Sequence, residues 1–168
     1  MKSKPRMTAN AGADPRWKPN VTVAAVVERN GRYLLVEERA ADGRLVLNNP
    51  AGHLDPGETL LQAVVREVLE ETACVFTPSH LQGIHLAPAE SGDVTYLRFA
   101  FAGHVGEPLP GRPLDDAIVR TLWLTRDEIA AQRERHRSAL LMRCIDDHVA
   151  GRRYPLALLQ SEADDPRC

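Results

Sequence analysis

Aromatic residues make up only 5% of the 168 positions, and the three cysteines, Cys74, Cys144 and Cys168, show no CxxC spacing. That spacing excludes a zinc knuckle or a dithiol redox site, and isolated reduced thiols suit a cytoplasmic protein. Charge of one sign is missing too: 21 Lys and Arg against 23 Asp and Glu leave a net charge of -2 and a pI near 6.3. With no basic field and few rings to stack on bases, the chain is not expected to bind nucleic acid. No stretch approaches the roughly 18 uninterrupted apolar residues of a membrane span, and the opening MKSKPRMTANAGADPRWKP has no apolar h-region. Neither export nor a bilayer is expected. Internal repeats, a GxSxG elbow, a P-loop lysine and a ligand-spaced histidine pair are also absent, which disfavours a solenoid, a covalent hydrolase, a P-loop kinase and a zinc enzyme.

A hydrophobic content of 43% over this length is ample for one buried core. Residues 1–16, rich in Pro, Gly and small polar side chains, are expected to be a disordered leader, with Trp17 the first to pack; 17–160 form a single domain and 161–168 a flexible tail. Two apolar runs from Val21 flank Asn30-Gly31, which predicts a hairpin. A short run at Leu45–Leu47 precedes a Pro/Gly-rich loop. Thr59 with Gln62 forms a capping box, and apolar residues at 60, 61, 64, 65, 68 and 69 predict a helix over about 60–72. Strands are predicted at 82–87, 95–104 and 118–124, a short helix after the Thr125/Glu128 capping box, and a last helix capped by Ser138 and stopped by Gly151. Strands before, between and after helices predict a mixed sheet flanked by helices.

The helix at 60–72 poses a chemical question. At about 100° per residue, Glu67, Glu70 and Glu71 share an arc of roughly 100°, beside an apolar stripe of Leu61, Val64, Val65, Val68 and Leu69 expected to pack on the sheet. Ala63 falls inside the acidic arc, where its small side chain is expected to leave space above the carboxylates. Glu67 and Glu71 repel at i, i+4, and Glu70 and Glu71 stand in the last turn, where the dipole disfavours anions by up to about 1 kcal/mol each. A solvated acidic face is the plain alternative. A divalent cation such as Mg²⁺ would relieve the repulsion, because hard cations seek carboxylate oxygens and keep positions open for substrate phosphates.

The stretch Gly52-HLDPG-Glu58-TLLQAVV-Arg66-Glu67-Val68-Leu69-Glu70-Glu71-Thr72-Ala73-Cys74 resembles the Nudix box, G-x5-E-x7-R-E-U-x-E-E-x-G-U with U a bulky aliphatic. Every charged position matches. The phrases KPNVTVAAVV, LLVEE, NNPAGHLD, LRFAF and RRYPL extend the resemblance from about Trp17 to Leu159, toward the bacterial NudJ phosphatase subgroup. That resemblance implies an α/β/α sandwich with a mixed central β-sheet. It also implies Mg²⁺-dependent hydrolysis of a phosphoanhydride in nucleoside tri- and diphosphates or in hydroxymethylpyrimidine diphosphate, a thiamine precursor, with release of phosphate; Mn²⁺ is a possible substitute. Other expectations are a nucleotide-binding sensor without turnover and a dinucleoside-polyphosphate pyrophosphohydrolase. Ala73 replaces the box glycine, which should cost about 1 kcal/mol or let the helix run on.

By the same resemblance, Glu67, Glu70 and Glu71 hold metal with the carbonyl of Gly52, Glu67 or Glu70 takes the water's proton, Arg66 orients the glutamates, and Glu58 binds a water-linked metal or simply caps the helix. Asp115 and Asp116 are candidates for a base on a loop after the box. Candidate substrate contacts are Arg98, which alternates with Leu97 and Phe99 and so should face a cleft, together with Arg39, His53 and Tyr154. The partner is a small phosphorylated molecule, and the protein is expected as a monomer or homodimer.

Overall fold

The computed structural model describes residues 17–89 and 92–161, so the expected leader and all but the first residue of the expected tail lie outside it. Seven strands form one mixed sheet: β1 (Asn20–Arg29), β2 (Arg32–Arg39), β3 (Leu45–Asn48), β4 (Ala51–His53), β5 (Phe76–Pro88), β6 (Thr95–Val105) and β7 (Ile118–Thr125). Three helices accompany them, α1 (Leu60–Thr72), α2 (Arg126–Ala130) and α3 (Leu140–Val149). The order is β3-β2-β1-β6-β5, with β4 added to β1 and β7 to β2; β1 and β6 run parallel, and the other pairs are antiparallel.

Strand periodicity distributes the core to two faces. On β1, Val23, Ala25 and Val27 pack with Val64 and Val68 of α1, whereas Val26 packs with Leu141, Cys144 and Ile145 of α3. Residues that alternate along one strand therefore serve two cores, and the molecule is an α/β/α sandwich. Asn30 and Gly31 both take positive φ, as the turn that joins β1 to β2 demands. Only Glu28–Arg29 of β1 pair with Arg32–Tyr33 of β2; further along, β1 takes β4 as its neighbour while β2 is flanked by β3 and β7. The sheet thus divides into two halves that share β1, and the 49–50 link joins β3 in one half to β4 in the other.

Both capping boxes are present, at Thr59/Gln62 and Thr125/Glu128. Several expectations need correction. The strand predicted at 82–87 is one end of the thirteen-residue β5, whose two register shifts interrupt the alternation that marks a strand in sequence. β4 was hidden in a Gly/Pro-rich stretch, because three residues show no periodicity. Ser138 accepts a hydrogen bond from the Leu140 amide at 3.3 Å, but the N-cap position is Ala139. Trp17 is 67% exposed rather than packed. Helix α1 does not run on: Ala73 ends it in the left-handed conformation, φ 58°, its amide bonded to the Leu69 carbonyl at 3.0 Å.

An alanine in that conformation brings its Cβ too close to its own carbonyl. Ala73→Gly is expected to stabilise the fold by about 0.5 to 1 kcal/mol, a rise of about 2 °C in Tm by calorimetry. An unchanged or lower Tm would mean that the buried methyl contributes more by packing than it loses by strain.

Candidate active site

Helix α1 meets the sheet at an angle that the apolar pattern does not predict. Its buried residues are Ala63, Val64, Glu67, Val68, Glu71 and Thr72, while Leu61, Val65 and Leu69 are only partly covered. Two of the three α1 glutamates, Glu67 and Glu71, are therefore buried in the protein. Ala63 is fully buried and packed in the α1 core, so it opens no space above the carboxylates; its single methyl lets the helix come close to the sheet instead.

Strand β4 supplies the reason. Glu71 accepts a hydrogen bond from the Ala51 amide at 2.9 Å. The Glu67 carboxylate lies directly against the Cα of Gly52, in the volume a side chain at position 52 would occupy. Glycine is needed there for close approach rather than for backbone freedom, since its φ is not positive.

Arg66 gathers the carboxylates. Its Nε and Nη2 form a fork onto Glu58 at 2.6 and 2.9 Å, Nη1 donates to Glu67 at 2.8 Å and to Glu70 at 3.0 Å, and Nη2 also reaches the His53 carbonyl at 3.0 Å. Such bidentate, charge-assisted bonds fix direction as well as adding energy. The fork holds the Glu58 carboxyl below its ordinary range, and the same partners raise the Arg66 guanidinium above its own. Burial pushes Glu67 up despite Arg66. Burial likewise pushes Glu71 up to about 9; the Ala51 hydrogen bond opposes the shift, while Glu67, Glu38 and Asp115 add to it.

A carboxyl that prefers its proton has a consequence for stability. Unfolded, Glu71 titrates near 4.5, and folded near 9, so between those values the native state holds the extra proton. This group's contribution to stability is fully present below about 4.5 and is lost as pH rises toward 9. We expect the Tm of metal-free protein to fall across that window, and Glu71→Gln, which needs no proton, to flatten the fall. A Tm slope identical in the variant would show that Glu71 is ionised in the fold at neutral pH.

The remaining candidates are placed unevenly. The Asp115 amide donates to the Glu70 carbonyl at 3.0 Å, so the loop before β7 docks on the end of α1, and the Asp115 charge is felt by both Glu67 and Glu71. Asp116 is exposed and makes no side-chain hydrogen bond or ion pair among the described residues. His53 is exposed beside Tyr96, their ring centroids 6.2 Å apart, and it lines an open concavity of about 500 Å³ with Asn20, Asp55 and Glu58. Arg39, at the end of β2, turns its guanidinium to the Gly43 carbonyl at 3.4 Å. Tyr154 is tied by its backbone to Leu81 of β5 at 2.8 and 3.0 Å, and among the described residues it makes no hydrogen bond to the α1 carboxylates. Arg98 does face away from Leu97 and Phe99, but that side is the α3 face, not an open cleft: it is 8% exposed, with Nε 3.5 Å from the Thr22 hydroxyl.

Comparison with known proteins decides the family. The family model described as NUDIX domain matches residues 17–143. The chain belongs to the Nudix hydrolase family. Among its Nudix relatives, Phosphatase NudJ of Escherichia coli K12 is 39% identical over 145 residues, 85% of this chain and 92% of that one. A solved Nudix hydrolase from Nitrosomonas europaea is 51% identical, covers 88% of this chain and 100% of its own, and superposes with a TM-score of 0.85. The MutT Nudix hydrolase of Burkholderia pseudomallei, at 21% identity and a TM-score of 0.65 over 78% of this chain and 98% of that one, shares the fold. The Nudix box, residues 52–74, thus spans β4, the loop after it, all of α1 and the turn that ends it.

Among the described residues no three Asp, Glu, His or Cys side chains are grouped as a preformed cation site, and the centre of the box is held by the Arg66 guanidinium. The donor set nevertheless suits a hard cation: all-oxygen groups on one helix, one of them a buried carboxyl with a raised affinity for its proton and hence a strong gain from a positive neighbour. Sequence reading missed Glu38, Asn48, Asn49 and Gln82, whose side chains hold buried polar atoms without a hydrogen-bond partner among the described residues, and the buried His85–Asp147 pair, 3.5 Å apart. Only the Asn48-Asn49 pair, interrupting an apolar strand just before the box, carried a signal of this.

Proposed function

We propose that the chain is a Mg²⁺-dependent hydrolase that cleaves a phosphoanhydride in nucleoside tri- and diphosphates or in hydroxymethylpyrimidine diphosphate and releases inorganic phosphate. The single observation that carries this reading is the box geometry: Glu67 and Glu71 buried against β4, with Arg66 tying Glu58, Glu67 and Glu70 together. A chain that needed only a solvated acidic face would not bury two of its glutamates. Similarity to Phosphatase NudJ over most of both chains supports the phosphatase assignment.

Glu67, Glu70 and Glu71, with the Gly52 carbonyl, would hold the cation. What it supplies when bound is neutralisation of phosphate oxygens and polarisation of phosphorus toward attack by water. Arg66 keeps Glu67 and Glu70 pointed the same way, and Glu58 in turn holds Arg66, which makes both of them positioning residues. Glu67 or Glu70 accepts the proton of the attacking water, and Asp115, docked at the end of α1, is placed to share that role. His53 at the rim would contact substrate. In a reducing cytoplasm the enzyme would keep its thiols free; Cys74 and Cys144 are unpaired and buried. Among the described residues no helix is long and apolar enough to cross a membrane.

A panel of nucleoside di- and triphosphates and hydroxymethylpyrimidine diphosphate, assayed with Mg²⁺ and with Mn²⁺ for phosphate against pyrophosphate, tests the proposal. Phosphate released only when the cation is present is the expected result. Tight nucleotide binding with no turnover would instead make the chain a sensor. Cleavage confined to dinucleoside polyphosphates would replace the substrate class.

A further inference from the structure

Strand β5 is the outermost strand on its side of the sheet, and its two halves differ in how the outer edge is covered. The first half is blunted. Two register shifts fall between Pro78 and Gly83, and Leu81 exchanges both backbone hydrogen bonds with Tyr154 at 2.8 and 3.0 Å. Along 83–87 no strand or bridge among the described residues pairs with that edge. The stretch reads Gly-Ile-His-Leu-Ala, without the Lys, Glu or Asp that usually keeps an edge strand from pairing. Ile84 is instead 51% exposed and Leu86 64%. Both stand on the α1 side, since Ile84 pairs with Phe99, and Phe99 with Val23 of the core under α1.

The turn that ends β5 sets the phase of its backbone. The Ala89 amide donates to the Val94 carbonyl at 2.7 Å, and bonding to β6 alternates from there: Ala87, His85 and Gly83 turn their backbone groups inward, Leu86 and Ile84 outward. Pro88, the next outward position, has no amide to offer. The bare edge is therefore symmetric about His85. An antiparallel copy of the same stretch, related by a twofold axis at His85, sets Ile84 of one chain opposite Leu86 of the other. Each such pair exchanges two backbone hydrogen bonds and brings its apolar side chains together on one face of the sheet.

We propose that a second copy of this chain docks on β5 through residues 83–87, joining two seven-stranded sheets into one continuous sheet. Charge at the rim favours a second copy over an unrelated peptide. The same register brings the turn from β5 to β6, which carries Asp93, toward Arg152 and Arg153 of the other chain, just before its Tyr154 bridge. Asp93 and Arg153 are exposed, and among the described residues neither side chain has a hydrogen bond or ion pair. Twofold symmetry forms that contact twice. Five paired residues span about 17 Å, a contact below the roughly 1,200 Å² of a stable complex, so the dimer is reversible and half-formed on the order of 10–100 µM. None of this depends on the chemistry of the box.

Sedimentation equilibrium of the full chain, from about 1 µM to about 1 mM, tests the idea. The mean mass should rise from 18.6 kDa toward twice that value. Leu86→Lys should keep the mass of one chain throughout while its thermal melt matches the wild type; should it not fold, Ile84→Lys carries the same expectation. Val119→Lys, an equally exposed change on β7, should leave association unaltered. Arg153→Glu should weaken the dimer about tenfold, and adding Asp93→Arg should restore it. A wild-type chain that stays single at about 1 mM overturns the proposal and leaves the edge to some other segment. Association that survives Leu86→Lys, that Val119→Lys abolishes, or that the reversed charge pair fails to restore overturns it as well, because the copies would then meet through another face or register.

Discussion

Glu70→Gln should lower Mg²⁺-dependent kcat by about 10³-fold while the protein melts within a few degrees of the wild type. Of the box glutamates, Glu70 gives the cleanest separation of chemistry from folding. Glu67 and Glu71 are buried, so removing either disturbs packing. Glu70 keeps 34% of its side chain exposed, and among the described residues its only ion pair is the i, i+4 contact with Arg66. Such a partly exposed pair is worth at most about 1 kcal/mol, and glutamine retains the shape. Loss of a metal-holding oxygen anion is a larger matter: transition-state stabilisation by a cation is worth several kcal/mol, and each 1.36 kcal/mol is a factor of ten in rate. Phosphate release measured beside circular dichroism melts decides it. Activity within a factor of a few of the wild type would remove Glu70 from the cation site.

Gly52→Ala should damage both folding and turnover, through a contact no list of charged residues contains. The added methyl would occupy the position of the Glu67 carboxylate. Either β4 moves away from α1, breaking the Ala51–Glu71 hydrogen bond, or Glu67 swings out and leaves the Arg66 network. Overpacking of this kind costs about 1–3 kcal/mol, and a displacement of about 1 Å in a catalytic group can cost on the order of 10²-fold in rate. Glu67→Asp in the same background withdraws the carboxylate by one methylene, so the double variant should regain part of the lost stability without regaining full activity. A single variant that melts and turns over like the wild type would show that Glu67 has another, equally good rotamer, and that Gly52 does not set its position.

Much of the fold was written locally. The Asn30-Gly31 turn, both capping boxes, the α1 boundaries and the clear strands at β1, β2, β6 and β7 depend on residues near one another in sequence, which obey backbone conformational limits wherever they occur. β5 and β4 were read poorly for the opposite reason. Register shifts hide the first, and the second exists as a strand only because β1 lies beside it. Arg98 shows the limit of alternation: that it opposes Leu97 and Phe99 followed from period two, but that the opposite side is a second core under α3 did not.

The sequence by itself determined the chemistry on offer: the order and spacing of Gly52, Glu58, Arg66, Glu67, Glu70 and Glu71, carried by a helix whose start and periodicity are local properties. Tertiary structure decided how that chemistry is used. Hydrophobic periodicity turned the acidic arc toward solvent, whereas packing on β4 turned Glu67 and Glu71 inward, because an amide at Ala51 and the bare Cα of Gly52 receive carboxylates better than water competes for them. Burial of polar atoms of Glu38, Asn48, Asn49 and Arg98 without a hydrogen-bond partner among the described residues was likewise decided by the fold. These residues come from three separate segments, β2, the end of β3 with the link after it, and β6.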